Sequence, residues 1–595
     1  SKDSQNNFAF LRDKVLGKSG KEYWRSVEEY VDAPEFAEFV KQEYPAHAEE
    51  WDNSLSRRNF VKVMGASLAL AGLSGCVIQP TEQIVPYVRQ PEEIIPGKPL
   101  FFATSMSLGG VGVGLLGRSN EGRPTEIEGN PLHPGSLGGT DVLAQASLLG
   151  LYDPDRSQEV RFRGSSKTWQ IFMDTARAAI EENRRDGGAG IRFLTETVTS
   201  PTLIAQFKQL QNELPKAKWV QYEPVNKDNV FTGAKMAFGS PVQTVYKFDQ
   251  ADRVLSLDAD IFSSFNVRYT KDFSAKRRYG NEKKEINRLY SIETTMTLTG
   301  AKADHRIAVK PSQMVEIAKA IAAKLGVAGA SSSYTENAKW IDVMTKDLLA
   351  NTGKTIVIAG DNQPPVVHAL AHAMNDKLGS VGKTLDYIEP AQQFSEVPQI
   401  EQLKQLISEI DGGQVKMLVI LGGNPVYNTP ADLKLNEERM NKIQLRIHLG
   451  QYFDETAEIC HWHVSEKHFL EAWSDTTAFD GTVSITQPLV QPLYGGKSAH
   501  EVLQIFFKEN FDKSDLDIVK GNWNGKITAA KPTETTPTPN GETKTETAPT
   551  TTLAATPTPN TQTTNTTANT AKNAEDLWRK AVHDGVISNT KAAVK

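Results

Sequence analysis

From about residue 190 onward, apolar strand-like runs alternate with helical segments, and this alternation limits the possible folds more than any other feature. The run IRFLTE precedes the helical SPTLIAQFKQLQNEL, and KTIVIAGD precedes PPVVHALAHAMNDKLG. VKMLVILGGNP is a further apolar run that ends in a glycine turn. Strands that alternate with helices of this length build parallel sheets covered by helices. The sequence therefore predicts an α/β fold.

Length, charge and cysteine content narrow the class of protein. A chain of 595 residues is too long for a single domain. The net charge of -6 is small for this length and no basic block is present, which argues against nucleic-acid binding. The two cysteines, Cys76 and Cys460, are fewer than the roughly four that an iron–sulfur cluster or a Cys₄ zinc site requires.

The N-terminal part carries the pattern of an export signal. Residues 1–55 are predicted to form a polar helical extension. Segment 56–76 holds the pair Arg57 and Arg58 in SRRNFVK, followed by an apolar stretch about half the ~20 residues of a spanning helix. That stretch ends in LSGC, which resembles a lipobox and predicts lipidation of Cys76. The alternative is a buried helix in which Cys76 is an inert small hydrophobe.

Composition divides the rest of the chain. Residues 77–185 are predicted to be a loop-rich first domain, and 186–530 to hold the α/β domains. Residues 531–572 are rich in Thr, Pro and Asn and are predicted to be a disordered linker, because they lack the apolar side chains of a core. Residues 573–595 are helical in pattern and are predicted to start a further module.

Five segments together resemble one known family. They are EGRPTEIEGNPLHPGSLGGTDVLAQASLLGLYDPDR, VLSLDADIFSSFNVRYTKDFSAKRR, GDNQPPVVHALAHAMN, VILGGNPVYNTPADL and the stretch from DETAEICHWHVSEK to GGKSAHEVL. The first resembles the opening domain of molybdopterin oxidoreductases. The set resembles the molybdopterin-oxidoreductase-like subunit of bacterial alternative complex III, a branch of that superfamily with a Tat signal. The resemblance implies parallel Rossmann-like sheets in several domains.

The sequence departs from the catalytic members of that superfamily. In those members a cysteine cluster upstream of LYDPDR binds a 4Fe–4S centre, and the last of its positions falls on Asp141 here. No cysteine occurs between 77 and 459 to bind molybdenum. The glycine turns that would hold a pterin pyrophosphate, Gly360 and Gly422-Gly423, are also what any strand-to-helix turn requires. We therefore expect no cofactor, no metal and no catalytic residue in this chain.

The resemblance also implies a function and a set of partners. The family complex oxidises quinol and passes electrons towards cytochrome c or an oxidase. Its other parts are a NrfD-like quinol-binding membrane subunit, multihaem cytochrome c subunits and a ferredoxin-like iron–sulfur module that follows the cofactor-less part of the molybdopterin-oxidoreductase-like subunit. We therefore expect a structural subunit without its own active site, associated with the membrane on the periplasmic, outer face of the bacterial inner membrane.

Two other functions fit parts of the sequence. One is a true molybdenum–pterin oxidoreductase with a non-cysteine ligand, and the other is an exported lipoprotein that binds small ligands in the pterin-like cleft. Stoichiometric molybdenum would distinguish the first, and absence of haem-bearing partners the second.

Some polar residues have spacings that metal sites or acid–base sites use. On a strand, Cys460 and Trp462 would share one face and His461 and His463 the other, with His468 nearby. His368 and His372 are spaced i, i+4 but lack the glutamate of H-E-x-x-H. Asp258 and Asp260 end a strand. Ordinary packing and turn capping are the favoured interpretations of all three groups.

The export assignment predicts the effect of changing the arginine pair. Replacing Arg57 and Arg58 with Lys keeps the charge but removes the planar guanidinium groups. We expect delivery across the membrane to fail, as measured by fractionation and immunoblotting. Normal delivery of the double variant would contradict the assignment.

Overall fold

The computed structural model describes residues 94–263, 267–278, 286–393, 395–528 and 565–595, without the side chains of 565–572. These residues belong to one compact unit, Glu93–Lys595. The predicted extension 1–55, the signal segment 56–76 and residues 531–564 of the predicted linker lie outside them.

Strands and helices alternate through most of this unit. The strands are β1 Leu100–Leu108, β2 Val111–Asn120, β3 Arg123–Gly129, β4 Val160–Phe162, β5 Ser165–Lys167, β6 Ile191–Thr195, β7 Lys218–Gln221, β8 Gln243–Tyr246, β9 Arg253–Leu257, β10 Arg288–Glu293, β11 His305–Ala308, β12 Thr355–Ala359, β13 Leu385–Ile388, β14 Met417–Leu421, β15 Leu445–Gly450, β16 Trp462–Ser465, β17 Ser474–Thr477 and β18 Val483–Thr486. The helices are α1 Val142–Leu151, α2 Trp169–Arg184, α3 Pro201–Glu213, α4 Asp228–Phe238, α5 Val267–Arg277, α6 Leu298–Lys302, α7 Met314–Leu325, α8 Ala338–Ala350, α9 Pro365–Lys377, α10 Gln399–Asp411, α11 Pro425–Asn428, α12 Glu437–Met440, α13 Glu455–Ile459, α14 Ala499–Gln504, α15 Asp515–Trp523 and α16 Asn565–Asp584.

The first part of the unit is a three-stranded antiparallel sheet in the order β1-β2-β3. Gly109 and Gly110 join β1 to β2 with positive φ at both positions, as a two-residue hairpin turn requires. The helix α1 packs against β3. Segment 77–185 is therefore more ordered than the loop-rich domain that we predicted, as far as the structure describes it.

The largest sheet has seven strands in the order β5-β4-β16-β15-β14-β6-β7, and the five from β16 to β7 are parallel. Alternate residues of β14 pack on opposite faces: Met417 and Val419 on one, Leu418 and Ile420 on the other. The strands β4 and β5 precede the predicted domain boundary at 185, yet they extend this sheet, and α2 packs on it.

A second, four-stranded parallel sheet has the order β11-β10-β9-β12. Helices α7, α8 and α9 cover one face of it, and Phe273 of α5 packs on the other. Each parallel sheet thus has its own core, with helices on both faces. The predicted fold class, a multi-domain α/β protein with parallel Rossmann-like sheets, is confirmed.

The last segment packs onto the body of this same unit. Trp578 and Ala581 of α16 lie in one apolar cluster with Val483, Ile485 and Trp523. Beyond the helix, the backbone nitrogen of Ile587 donates to the carbonyl oxygen of Val483 over 2.8 Å. This corrects the prediction that 573–595 starts a further module, because its apolar face is already covered here. Helix α16 also begins at Asn565, inside the predicted linker.

This packing predicts a stability difference between adjacent residues of α16. Trp578 is 8% exposed, so Trp578→Ala should lower the free energy of unfolding by about 3–5 kcal/mol, the usual range for a buried aromatic side chain. The side chain of Arg579 is 74% exposed, and Arg579→Ala should change the free energy of unfolding by less than about 0.5 kcal/mol. Urea denaturation measures both; equal effects would contradict the packing.

Candidate functional site

A cleft of about 710 Å³ lies at the carboxyl edge of the seven-stranded sheet. Residues that directly follow the parallel strands line it: Glu196 after β6, Gly422-Gly423 after β14, Gln451 after β15 and Glu466 after β16. The other wall comes from β1, α1 and the segment from His468 to Thr476. The carboxyl ends of parallel strands are where α/β folds bind ligands, so this cleft is the candidate site.

A buried ion pair fixes one wall of the cleft. Arg156, the last residue of LYDPDR, donates from Nη2 to Glu471 Oε2 over 2.6 Å, and both side chains are 1% exposed. Its Nη1 donates to the carbonyl oxygen of Leu151 over 2.9 Å. Burial raises the pKa of Glu471, but hydrogen bonds from Arg156 and from the backbone of Leu493 and His468 outweigh it and leave the pKa below its ordinary value.

Two buried histidines behind the glycine turn form a closed hydrogen-bond chain. The Nδ1 atoms of His448 and His463 lie 3.2 Å apart. His463 Nε2 lies 2.7 Å from Ser157 Oγ, and His448 Nε2 lies 3.2 Å from the carbonyl oxygen of Gly423. One assignment of hydrogen-bond donors and acceptors satisfies all three contacts. In it, Ser157 donates to His463, His463 donates to His448, and His448 donates to the carbonyl oxygen of Gly423. Burial lowers the pKa of His463 to about 3, so both rings are neutral and neither has a free lone pair for a metal.

Four carboxyl groups lie in the polar lining of the cleft, beside a larger number of serine and threonine side chains. Burial, together with the neighbouring Glu196, raises the pKa of Glu466 to about 8. Burial and Glu223 raise the pKa of Glu196 as well. Among the described residues, neither of these carboxyl groups has an ion-pair partner within 4.0 Å. The basic side chain of the lining, Lys467, pairs with Glu501 at 2.7 Å and with Asp515 at 2.9 Å.

This lining does not fit a pterin cofactor. A pyrophosphate bears negative charge and is held by free N–H donors and basic side chains. Here Glu196 lies against the turn that would hold it, and Lys467 is already neutralised by two carboxylates. The other turn, at Gly360, requires glycine because a Cβ there would collide with the carbonyl oxygen of Asp258, and it does not line this cleft.

The residues at the predicted cofactor positions have structural roles. Asp141 is the N-cap of α1, and its Oδ1 accepts from the backbone nitrogen of Ala144 over 2.8 Å. Gly422 and Gly423 have φ of 76° and 72°, so the turn itself requires glycine. Both roles are independent of any cluster or pterin.

Cys460 and Trp462 do not share a face, contrary to the strand pattern. The strand β16 begins only at Trp462, and Cys460 caps the preceding helix α13. Cys460 therefore packs in the apolar cluster on one face of the sheet and Trp462 in the cluster on the other. His468 is separate from both, because its Nε2 donates to the carbonyl oxygen of Ser147 over 3.0 Å. The described residues contain no group of three or more metal-ligating side chains.

The other two polar groups pack or cap turns. His368 and His372 are buried on α9, and His372 Nδ1 lies 3.2 Å from the hydroxyl of Tyr387. Asp258 accepts from the backbone nitrogen of Thr294 over 2.7 Å, and Asp260 accepts from the hydroxyl of Thr299 over 2.8 Å. The favoured interpretations of both pairs thus agree with their surroundings.

The predicted export and lipidation residues, Arg57, Arg58 and Cys76, lie outside the described residues. Within the described ranges, no helix is long and apolar enough to cross a membrane.

Comparison with known proteins relates the chain to molybdopterin proteins. It is 23% identical over 506 residues to the "menaquinone reductase, molybdopterin-binding-like subunit" of Nitratidesulfovibrio vulgaris, covering 76% of this chain and 71% of the relative. Among solved structures, acetylene hydratase from Pelobacter acetylenicus has a TM-score of 0.49 and 11% identity over 68% of each chain. No protein-family model matches. The likeness to the menaquinone reductase subunit supports a molybdopterin-oxidoreductase-like protein.

Sequence reasoning missed two acids that line the cleft. Glu196 follows the strand IRFLT and Glu466 follows the strand WHVS. Both positions could have been found, because a polar residue directly after a parallel strand points to the ligand-binding edge.

The raised pKa of Glu466 predicts how stability depends on pH. In the folded protein the carboxyl group of Glu466 keeps its proton up to about pH 8, whereas in the unfolded chain it releases that proton near its ordinary pKa of 4.5. Between these values the unfolded state binds fewer protons, so stability falls as pH rises. Because glutamine does not titrate, Glu466→Gln removes this loss of stability.

We therefore expect Glu466→Gln to be more stable than the wild type by a margin that grows from about pH 5 to about pH 8 and is then constant. Urea denaturation at a series of pH values measures the margin. A margin independent of pH would contradict the buried, protonated state of Glu466.

Proposed function

We propose that this chain is a non-catalytic structural subunit of a membrane-bound, quinone-linked oxidoreductase complex of the alternative complex III type. The observation that carries the proposal is the similarity, over 76% of the chain, to a subunit of a menaquinone reductase. That name refers to quinone reduction, whereas the resemblance of the motifs implies quinol oxidation. The proposal takes from both only that the complex reacts with a quinone.

The chemistry of the cleft supports a structural role over a catalytic one. Its carboxyl lining does not fit a pyrophosphate, and its histidines use their nitrogens in hydrogen bonds within the fold. These features disfavour a molybdenum–pterin enzyme with a non-cysteine ligand. The chain would then carry no redox group of its own, and the electrons would pass through iron–sulfur clusters and haem c in its partners.

The proposed role is to hold those partners in place. Electron transfer requires redox groups at fixed, short separations, so a rigid subunit between them is functional even without a cofactor. The proposed partners are a NrfD-like quinol-binding membrane subunit, multihaem cytochrome c subunits and a ferredoxin-like iron–sulfur module. The proposed location is the periplasmic, outer face of the inner membrane.

Co-purification tests this role. An affinity-tagged full chain, isolated from detergent-solubilised membranes, should bring with it a polytopic membrane subunit and polypeptides that stain for covalent haem. Mass spectrometry identifies the bands, and a strain that expresses the tag alone is the control. Recovery of the chain without any haem-bearing or polytopic polypeptide would contradict the proposal and favour the exported ligand-binding lipoprotein.

A further inference from the structure

The cleft keeps the glycine turn of a phosphate site but places a carboxyl group against it. A Cβ built on Gly423 would lie 3.1 Å from Glu196 Cγ and 3.4 Å from Glu196 Oε1. A Cβ on Gly422 would lie 3.6 Å from Glu196 Oε2. The side chain of Glu196 thus covers both glycines of the turn.

Nothing in the described lining offsets this charge. Glu223 and Glu466 line the same cleft, and no lysine or arginine of the described residues pairs with Glu196, Glu223 or Glu466 within 4.0 Å. The carboxyl group of Asp475, also in the lining, is engaged by Ser200, Thr202 and Trp523 Nε1. Lys467 is held by Glu501 and Asp515. An anion that enters the cleft therefore meets carboxyl groups and no free cation.

We propose that Glu196 occupies the Gly422-Gly423 turn in place of a phosphate and makes the cleft exclude pyrophosphate-bearing ligands. Two effects act together: the side chain fills the space against the turn, and its carboxyl group, when ionised, repels an anion at short range, where repulsion is weakly screened. This inference concerns the cleft alone and holds whatever complex the chain enters. It goes beyond the absence of cysteine ligands, because it names a residue that blocks the phosphate position.

Titration of the full chain with inorganic pyrophosphate tests the proposal by isothermal calorimetry. The wild type should show no binding at millimolar concentration. Glu196→Ala removes both bulk and charge, and we expect its affinity to rise at least about tenfold above the wild-type limit. Glu196→Gln keeps the bulk and removes the charge, so the difference between the two variants separates the two effects.

The matched control is Glu401→Gln, an exposed acid of α10 that pairs only with Lys404 among the described residues and does not line the cleft. It changes the net charge of the chain by the same amount as Glu196→Gln and should leave pyrophosphate binding at the wild-type limit. Thermal unfolding checks that every variant is folded, which we expect because Glu196 lines the cleft and has no ion-pair partner among the described residues. Binding by the wild type, no gain in Glu196→Ala, or an equal gain in Glu401→Gln would each overturn the proposal.

Discussion

The buried ion pair between Arg156 and Glu471 is the interaction on which the candidate site depends. Both side chains are 1% exposed. A buried pair of this kind adds little net stability over an apolar pair, but loss of one partner leaves an uncompensated charge and is strongly destabilising. The pair joins the end of α1, through Leu151, to the segment after β16, through His468, and to the segment after β18, through Leu493. It thereby fixes the wall of the cleft opposite the parallel strands.

The opposite wall follows from sheet topology. Five parallel strands end at one edge, and the residues that directly follow four of them, β6, β14, β15 and β16, line the same cleft. A fold with this topology retains a cleft whether or not a cofactor fills it. What distinguishes this chain is the chemistry at that edge, where Glu196 lies against the glycine turn and the histidines bond to one another. The architecture is thus compatible with the proposed absence of a cofactor.

The alternation of apolar strands and helices was enough to predict the α/β class, because burial on both faces leaves a continuous apolar run in each parallel strand. It does not reveal that β4, which pairs with β16 far along the chain, and β5, which pairs with β4, belong to the same sheet as the strands after residue 190. The sequence pattern also did not predict where Trp578 packs. Its amphipathic helix is typical of the start of a new unit, and only the tertiary contacts with Val483 and Ile485 show its place. The absence of cysteines was enough to predict that no iron–sulfur cluster binds here. The contact of Glu196 with the Gly422-Gly423 turn could not be predicted, because it depends on the pairing of β6 with β14, which are far apart in the sequence.

The central proposal is that this molybdopterin-oxidoreductase-like chain binds no molybdopterin cofactor. Its most direct test is the molybdenum and tungsten content of the full chain, purified with its partners from its own membranes and measured by inductively coupled plasma mass spectrometry, with oxidised pterin measured by fluorescence. The account predicts that both metals and pterin are far below one equivalent per chain, while iron is abundant in the partners. One equivalent of molybdenum or tungsten with matching pterin would contradict it.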